Sequence, residues 1–374
     1  MEHSSDPIAL VDLRAQYADI KPEIQQAFDG IFENFAFLNG PQVAEMEQLF
    51  AQLHGLRSGH AIGCSNGTSA LTVALRAFDL SPGAEVILPS HTFFATAESV
   101  ILAGYKPVFA DINPDDYTID PAQVEALISP QTEAIIPVHI YGNMANMDAI
   151  MAIAETHGLK VLEDAAQAQM AAWNGKMSGT YGDAGTYSFY PSKNLGAYGD
   201  AGLVMTRHDD LGKVIRKLID HGREDRYLHD MVGDNLRIDS LQAAFLTVKL
   251  KRLAAWTGQR REIAQKYDDH FKPQGFKVIE LPAQSASARH LYIVEVDNRD
   301  DVMAHLAANN IACMIHYPIP LHLQPALQGT AMRAGDLSVT ERIAKRIVSI
   351  PMYPELSDVQ IDRVAQTFLE VAKP

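Results

Sequence analysis

Three short segments of the sequence contain residue types that could bind and activate a small molecule together. The first is "CSNGTSAL" (64–71), in which Gly67, Thr68 and Ser69 stand just before an apolar helical pattern. At such a position, backbone N–H groups and hydroxyls face one point, and the helix dipole favours an anion there. An ordinary helix cap uses the same residue types, so this segment alone leaves both interpretations open.

The other two segments place a carboxylate and a lysine in unusual surroundings. Asp164 closes the apolar strand pattern of "VLEDAAQA" (161–168), where an unpaired carboxylate would be costly to bury. Lys193 lies in "YSFYPSKNLGAYGDAG", between two strand patterns, with Ser188 five residues before it. Taken separately, Asp164 could cap a helix or join an internal ion pair, and Lys193 could simply be solvated.

Taken together, the three segments match the needs of pyridoxal phosphate. That cofactor requires donors for its phosphate, a carboxylate at its pyridinium nitrogen and a lysine that bonds to its aldehyde. The set predicts that Lys193 is buried beside a carbonyl cofactor, where an amine can be neutral and nucleophilic. Gly196, Gly199 and Gly202 are expected to let the lysine loop bend sharply.

Strand and helix patterns alternate from about residue 41 to residue 207. They predict an α/β fold, with a largely parallel sheet between helices. Strand patterns cover 85–90, 106–112, 132–142 and 160–166. Ligands of such sheets bind beyond the carboxyl ends of strands, which is where Asp164 stands. We predict a large cofactor-binding domain over residues 1–250 and a smaller C-terminal α/β domain over 251–374.

Composition limits the classes of partner. The chain has 374 residues, a formal net charge of -15 and two cysteines. The acidic balance disfavours nucleic acid or an anionic membrane, although a locally basic cleft can still bind an anion. There is no apolar run of the roughly 20 residues that a membrane span needs, no signal-peptide pattern and no HExxH metal motif. We therefore expect a cytoplasmic protein without a metal.

Motifs along nearly the whole chain resemble those of the DegT/DnrJ/EryC1/StrS family of pyridoxal-phosphate-dependent sugar aminotransferases. The resemblance implies fold type I architecture and a homodimer with shared active sites. It also implies transfer of an amino group from L-glutamate to a nucleotide-linked keto-sugar. The segments that carry it are "LVDLRAQYADIKPEI", "FLNGPQVAEME", "CSNGTSAL", "LPSHTFFATAESV", "PVHIYG", "EDAAQA", "SFYPSKNLGAYGDAG", "DNLRIDSLQAA", "IHYPIPLHLQPA" and "SIPMYPELSD".

The resemblance further implies roles for individual residues. Lys193 would bond to the cofactor and move protons between carbon atoms, and Asp164 would keep the pyridine nitrogen protonated. Phe93 would stack on the cofactor ring, with a core position on a helix as the alternative, and Gln167 would lie near the phenolic oxygen. The other implied contacts are Gly67, Thr68, Ser69 and Ser188 at the phosphate, Asn235 reaching the phosphate from the other subunit, and Tyr317 and His322 at the sugar-binding mouth.

Three questions stay open from the sequence. By resemblance alone, "VHIYGNMANMD" (138–148) favours amination of a 3-keto sugar over a 4-keto sugar. The basic segment 213–230 is either a solvated helix face or a site where His221, Arg223 or Arg226 faces a diphosphate. The alternative functions are a pyridoxal-phosphate-dependent sugar dehydratase, a cyclitol aminotransferase and a non-catalytic regulatory protein. Dehydratase relatives carry His at the position of Lys193, so Lys favours transamination.

Overall fold

The computed structural model describes residues 6–57, 59–330 and 332–374. Within these ranges the strands are β1 (Ala61–Cys64), β2 (Glu85–Pro89), β3 (Lys106–Ala110), β4 (Thr132–Ile135), β5 (Lys160–Asp164), β6 (Ala172–Trp173), β7 (Lys176–Met177), β8 (Ala184–Ser188), β9 (Gly202–Met205), β10 (Ser285–Ala286), β11 (Tyr292–Glu295), β12 (Arg333–Ala334) and β13 (Ile347–Ile350). The α-helices are α1 (Leu13–Asn34), α2 (Pro41–Leu53), α3 (Gly67–Ala77), α4 (Phe94–Leu102), α5 (Pro121–Leu127), α6 (Met147–His157), α7 (Asp209–Leu218), α8 (Ser240–Leu250), α9 (Leu253–Phe271), α10 (Arg299–Ala308), α11 (Ser338–Ile343) and α12 (Asp358–Leu369).

An eight-stranded sheet forms the centre of the molecule, in the order β1-β9-β8-β5-β4-β2-β3-β12. Strand β9 is antiparallel to both of its neighbours, whereas the other pairs in this sheet are parallel. The predicted α/β fold with a mostly parallel sheet is thereby confirmed. Because β2, β4, β5 and β8 run in the same direction, the residues that follow them meet at one edge of the sheet.

Side chains of the sheet alternate between two apolar clusters, one on each face. Ile87 and Val161 pack into the cluster that includes residues of α2, α6 and α8. Val86 and Leu162, each one residue away, pack into the cluster that includes residues of α3, α4 and α7. Successive side chains of a strand point to opposite faces of the sheet, and helices cover both faces. Each strand is therefore apolar at nearly every position.

Strand β4 is shorter than its sequence pattern predicts. The pattern extends over 132–142, but the strand ends at Ile135. Pro137 follows, and proline has no N–H to donate to a neighbouring strand. The chain then turns through a left-handed residue, Tyr141, with φ 59° and ψ 9°. As a result, the backbone N–H of Tyr141 leaves the sheet and points to a side chain that follows β5.

The C-terminal half contains a second, smaller core. Strands β11 and β13 pair antiparallel, and α9, α10 and α12 pack against them around Phe271 and Phe368. The predicted division at residue 250 stays a prediction, and contacts on both sides of the molecule cross it. Ile8 packs into this smaller core, and β12 joins the edge of the large sheet beside β3. Of the helices in the described ranges, none has both the length and the apolar character that a bilayer crossing needs.

Candidate active site

A cavity of about 780 Å³ lies beyond the carboxyl ends of β5 and β8. Its position follows from the sheet, since parallel strands bring their C-terminal residues to one edge. Nine of the eleven predicted site residues line it: Gly67, Thr68, Ser69, Phe93, Asp164, Gln167, Ser188, Lys193 and Tyr317. These residues span 251 positions of the chain, so the fold and not the local sequence brings them together.

The N-terminus of α3 forms one end of the cavity and is suited to an anion. Asn66 caps the helix, because its Oδ1 accepts a hydrogen bond from the Ser69 N–H at 2.8 Å. The N–H groups of Gly67 and Thr68 have no partner inside the helix, as at every helix start. A Cβ at Gly67 would lie 2.7 Å from the Cβ of Ser188. The cap therefore leaves the first N–H groups of α3 available to an anion, and glycine leaves room for the Ser188 side chain.

Asp164 is the last residue of β5, and its carboxylate is buried against the cavity. Its Oδ2 accepts a hydrogen bond from Thr96 Oγ1 at 2.8 Å, and its Oδ1 accepts one from the Ala166 N–H at 3.2 Å. Burial raises the pKa of Asp164, whereas these two hydrogen bonds and the charge of Lys193 oppose the rise. A carboxylate offers about four acceptor positions, so Asp164 can still bind a proton donor from the cavity.

Lys193 lies in the loop between β8 and β9, half-buried in the cavity wall. Its backbone N–H donates to the carbonyl of Tyr190 at 2.8 Å, which closes a turn at the start of the loop. Desolvation lowers the pKa of the Lys193 amine to about 8, and Asp164 partly opposes this shift. Lys193 is thus half-buried where burial was predicted, and its amine faces the same cavity as the Asp164 carboxylate.

The glycines of the lysine loop act differently from the expectation. None of Gly196, Gly199 and Gly202 has a positive φ, so their conformational freedom is not what the loop needs. The loop needs the small size of glycine. A Cβ at Gly196 would lie 2.2 Å from the Pro191 carbonyl oxygen, and a Cβ at Gly202 would lie 2.4 Å from Asn66. Any larger residue would push the loop away from its neighbours.

Three further predicted residues line the cavity. Phe93 precedes α4 and is 56% exposed, which does not fit the alternative of a core position. Its ring lies 5.7 Å from the ring of Tyr317. Gln167 is held at both ends of its amide: Oε1 accepts from the Tyr141 N–H at 2.6 Å, and Nε2 donates to the Tyr317 hydroxyl at 3.0 Å.

Two predicted site residues lie away from the cavity lining. The ring nitrogens of His322 lie 2.7 Å from Ser90 Oγ and 3.1 Å from Glu341 Oε1, so the ring connects the buried residue after β2 to α11. Asn235 is exposed, and its backbone pairs with that of Asp220. His221, Arg223 and Arg226 of the basic segment are not among the residues that line the cavity either.

The structure adds residues that sequence reasoning missed. Asn194, next to Lys193, donates from Nδ2 to the Ala288 carbonyl at 2.8 Å, and its Oδ1 lies 3.1 Å from Nδ1 of His290. Burial lowers the pKa of His290 well below its usual value and that of His316 to about 4. Both histidines line the cavity. Adjacency to Lys193 could have pointed to Asn194, but no sequence pattern points to His290.

The fold and the cavity together define a pyridoxal-phosphate enzyme of fold type I. The residues present fit the cofactor: the donors of α3 and Ser188 suit a phosphate, Asp164 suits a protonated ring nitrogen, and Lys193 suits an aldehyde. Comparison with known sequences narrows the class. The chain belongs to the DegT/DnrJ/EryC1/StrS aminotransferase family, whose sequence profile matches residues 18–369.

Three curated relatives match over nearly their full length. A protein of Geobacillus stearothermophilus named pleiotropic regulatory protein is 44% identical, over 97% of this chain and 98% of its own. The UDP-N-acetyl-3-dehydro-alpha-D-glucosamine 3-aminotransferase of Acidithiobacillus ferrooxidans is 43% identical, over 96% of each chain. The UDP-2-acetamido-2-deoxy-3-oxo-D-glucuronate aminotransferase of Pseudomonas aeruginosa is 41% identical, over 95% of this chain and 97% of its own.

Solved structures agree with the fold and the cofactor. DesV of S. venezuelae, solved with a ketimine intermediate, superposes with a TM-score of 0.94 at 37% identity, over 97% and 98% of the two chains. The NtdA protein of Bacillus subtilis, solved with bound cofactor PMP, superposes with a TM-score of 0.87 at 30% identity. That match covers 96% of this chain and 82% of NtdA. The protein is a pyridoxal-phosphate-dependent aminotransferase of this family.

Proposed function

We propose that the protein transfers an amino group from L-glutamate to a nucleotide-linked keto-sugar, with a 3-keto sugar preferred to a 4-keto sugar. The observation that carries the proposal is that Lys193, Asp164 and the N-terminus of α3 face one cavity. When bound there, the cofactor supplies an electron sink for the bonds broken at the substrate carbon. The protein supplies proton transfer, orientation and exclusion of water.

Lys193 would move the protons. With a pKa of about 8, roughly a tenth of the free amine is neutral at pH 7, far more than for an ordinary lysine. Its Nζ would take the proton from the α-carbon of glutamate in the first half-reaction and deliver a proton to the sugar carbon in the second. A positioned acid–base group of this kind contributes about 10²–10⁴ in rate.

Asp164 would hold a proton on the ring nitrogen of the cofactor. Its buried carboxylate has one oxygen oriented by Thr96, so it needs little reorganisation to accept a hydrogen bond from the ring. A charge partner in the cavity would also offset the cost of burying Asp164. Gly67, Thr68, Ser69 and Ser188 would orient the phosphate at the other end.

One observation supports a sugar substrate, and a second supports a keto group at C3. The mouth of the cavity contains large exposed side chains, Phe93 at 56%, Tyr190 at 57% and Met314 at 52%, which can pack against a sugar ring. Two of the relatives are named for reactions at position 3 of UDP-linked sugars. Tyr317 lines this mouth, and we keep it as a sugar contact. His322 lies behind the lining and would act on the sugar only indirectly.

The alternatives make different demands on the site. Lysine at position 193 disfavours the sugar dehydratase, and an aminotransferase for cyclitol ketones differs only in the acceptor. A purely regulatory role, suggested by the name of one relative, would not need Lys193 and Asp164 to face one cavity. Their arrangement therefore favours catalysis.

An acceptor panel tests the substrate assignment. Purified protein is incubated with L-glutamate and with nucleotide sugars that carry the keto group at C3 or C4, and with keto-cyclitols. We expect 2-oxoglutarate and a 3-amino sugar, identified by mass spectrometry and NMR. Amination at C4, a dehydrated product or turnover of cyclitols alone would overturn the specific proposal and leave the cofactor assignment intact.

We also propose a homodimer in which Asn235 completes the phosphate site of the other subunit. Asn235 is exposed and lies outside the cavity of its own chain. An exposed aromatic cluster at the end of α1 offers an apolar surface for a second copy: Phe28, Phe32, Phe35 and Phe37. Mixing inactive Lys193→Ala subunits with weakened Asn235→Ala subunits tests the sharing. A shared site predicts one restored site per mixed dimer, and no gain on mixing would refute it.

The location proposed for the protein is the cytoplasm. Cys64 and Cys313 are both free, as expected for a protein that works in a reducing compartment. Fractionation of the source cells, with the protein followed by antibody, tests this location. A protein recovered outside the cytoplasmic fraction would contradict it.

A further inference from the structure

A second buried lysine contacts the loop that carries Lys193. Lys249, on the last turns of α8, has no exposed surface. Its Nζ donates to the carbonyl oxygen of Gly196 at 2.7 Å and lies 3.9 Å from the centre of the Tyr198 ring. Both contacts belong to the loop between β8 and β9, three and five residues after Lys193.

The burial of Lys249 has no ionic compensation. Within the described ranges, Lys249 forms no ion pair with Asp or Glu, and desolvation lowers the pKa of its amine to about 8. Lysine is rarely buried completely without a carboxylate partner. A methionine could fill similar space without the desolvation cost, so a contribution to overall stability is a poor reason for a lysine at this position.

The contacts of the loop indicate what the lysine does. Helix α8 holds the loop twice, since Gln242 Oε1 accepts the Tyr198 N–H at 2.9 Å and Lys249 binds the Gly196 carbonyl. The loop is also tightly packed, because Gly196 lies directly against Pro191, and the Ala197 N–H donates to Phe189 O at 2.8 Å. A hydrogen bond from an ammonium is stronger than one from a neutral donor, and here it fixes a carbonyl that no strand holds.

We propose that Lys249 is a positioning residue, which fixes the lysine loop from α8 and so holds the Lys193 amine in one orientation at the cavity. The proposal rests on the assignment of Lys193 as the reactive lysine. It does not depend on which sugar is the acceptor. Small displacements of a reacting group can cost about 10²-fold in rate, so loss of this contact should lower kcat more than it changes KM.

The test measures Lys193 directly in the cofactor-free full-length protein. Reductive methylation with formaldehyde and cyanoborohydride, followed by mass spectrometry, gives the pH at which the Lys193 amine becomes reactive. The wild-type midpoint should lie near the pKa of about 8. In Lys249→Met the loosened loop admits water to Lys193, so the midpoint rises by about one unit or more towards the ordinary lysine value, and kcat falls about 10- to 100-fold.

Matched variants distinguish positioning of the lysine loop from the effect of the Lys249 charge and from general loss of stability. Lys249→Gln retains a donor for the Gly196 carbonyl and should keep the midpoint within half a unit of wild type. Lys251→Met removes an exposed lysine two residues further on and should change neither the midpoint nor kcat. Hydrogen exchange of a peptide covering 190–200 should accelerate in Lys249→Met only.

Two results would overturn the proposal: an unchanged midpoint and exchange rate in Lys249→Met, or a shift in Lys249→Gln as large as in Lys249→Met. If Lys249→Met does not fold, Lys249→Gln decides alone, since a midpoint near wild type supports positioning and a rise of a full unit refutes it. Failure to aminate any nucleotide sugar would refute the proposed function and leave the labelling result unaffected.

Discussion

Two consecutive carboxylates on β5 face opposite sides of the sheet and have opposite surroundings. Glu163 is fully buried, and each of its oxygens accepts two hydrogen bonds. Its partners are His139 Nε2 at 2.9 Å and the N–H groups of Gly179, Tyr181 and Gly182 at 2.8, 2.6 and 2.8 Å. Among the residues that the structure describes, the Asp164 carboxylate accepts from Thr96 Oγ1 and the Ala166 N–H, and it borders the cavity.

The difference is in how many acceptor positions of each carboxylate the protein itself fills. Four donors fill the acceptor positions of Glu163, so this side chain connects β5 to the segment 179–182 and can do nothing else. Two donors leave acceptor positions of the Asp164 carboxylate unfilled, and this carboxylate borders the cavity. The contrast supports the proposal that Asp164, and not Glu163, is the carboxylate that binds the cofactor.

The largest effect is expected from Lys193→Ala, which tests the proposed catalytic residues of the cavity. We expect turnover to fall by about 10⁴-fold or more, because the group that bonds to the cofactor and moves the protons is gone. The melting temperature should stay near wild type, since the side chain is only half-buried. Steady-state assays and thermal melting check this, with Lys345→Ala as an exposed control. Full activity in Lys193→Ala would end the assignment.

Asp164→Asn should have the next largest effect. The amide cannot keep the ring nitrogen protonated, so we expect kcat to fall by about 10²–10³-fold while the protein still folds. Single-turnover kinetics with glutamate isolate this step from the binding of the sugar. An unaffected rate would mean that another group protonates the ring.

Glu163→Gln should lower stability and leave activity nearly unchanged, the reverse of the effects expected for Lys193→Ala and Asp164→Asn. The new NH₂ group would face two donors instead of accepting from them, and unsatisfied buried groups cost about 2–4 kcal/mol in the free energy of unfolding. Activity per folded molecule should remain within a few-fold of wild type. Urea unfolding of Glu163→Gln and Asp164→Asn side by side measures both. Greater destabilisation in Asp164→Asn would contradict the comparison.

The smallest expected effect concerns the titration of Lys193. The negative charge of Asp164 raises the pKa of the Lys193 amine, against the larger lowering by desolvation to about 8. Asp164→Asn removes the raising charge, so the midpoint should move below about 8, whereas Glu163→Gln should leave it in place. The rate at which cofactor-free protein binds pyridoxal phosphate, measured from pH 6 to 10, reports the midpoint. A shift in both variants would show a general loosening instead.

Much of this site could be predicted because short segments carry it. The start of α3, the end of β5 and the lysine loop each combine a local structural signal with a reactive residue type, and the sheet places their ends together. Sequence patterns did not reveal the contacts that spatial neighbours decide. His322 is held by Ser90 and Glu341, and His290 reaches Lys193 through Asn194 across the join to the smaller core.

The sequence by itself determined the α/β fold, the order of its strands along the chain and the residue types at the site, because periodicity and residue chemistry are local properties. Only the tertiary structure decided which of two adjacent carboxylates borders the cavity, why the loop glycines are needed, and that Lys249 holds the lysine loop. The physical reason is that burial and hydrogen-bond completion depend on contacts between residues far apart in the chain. Such contacts exist only after the sheet and its helices have packed.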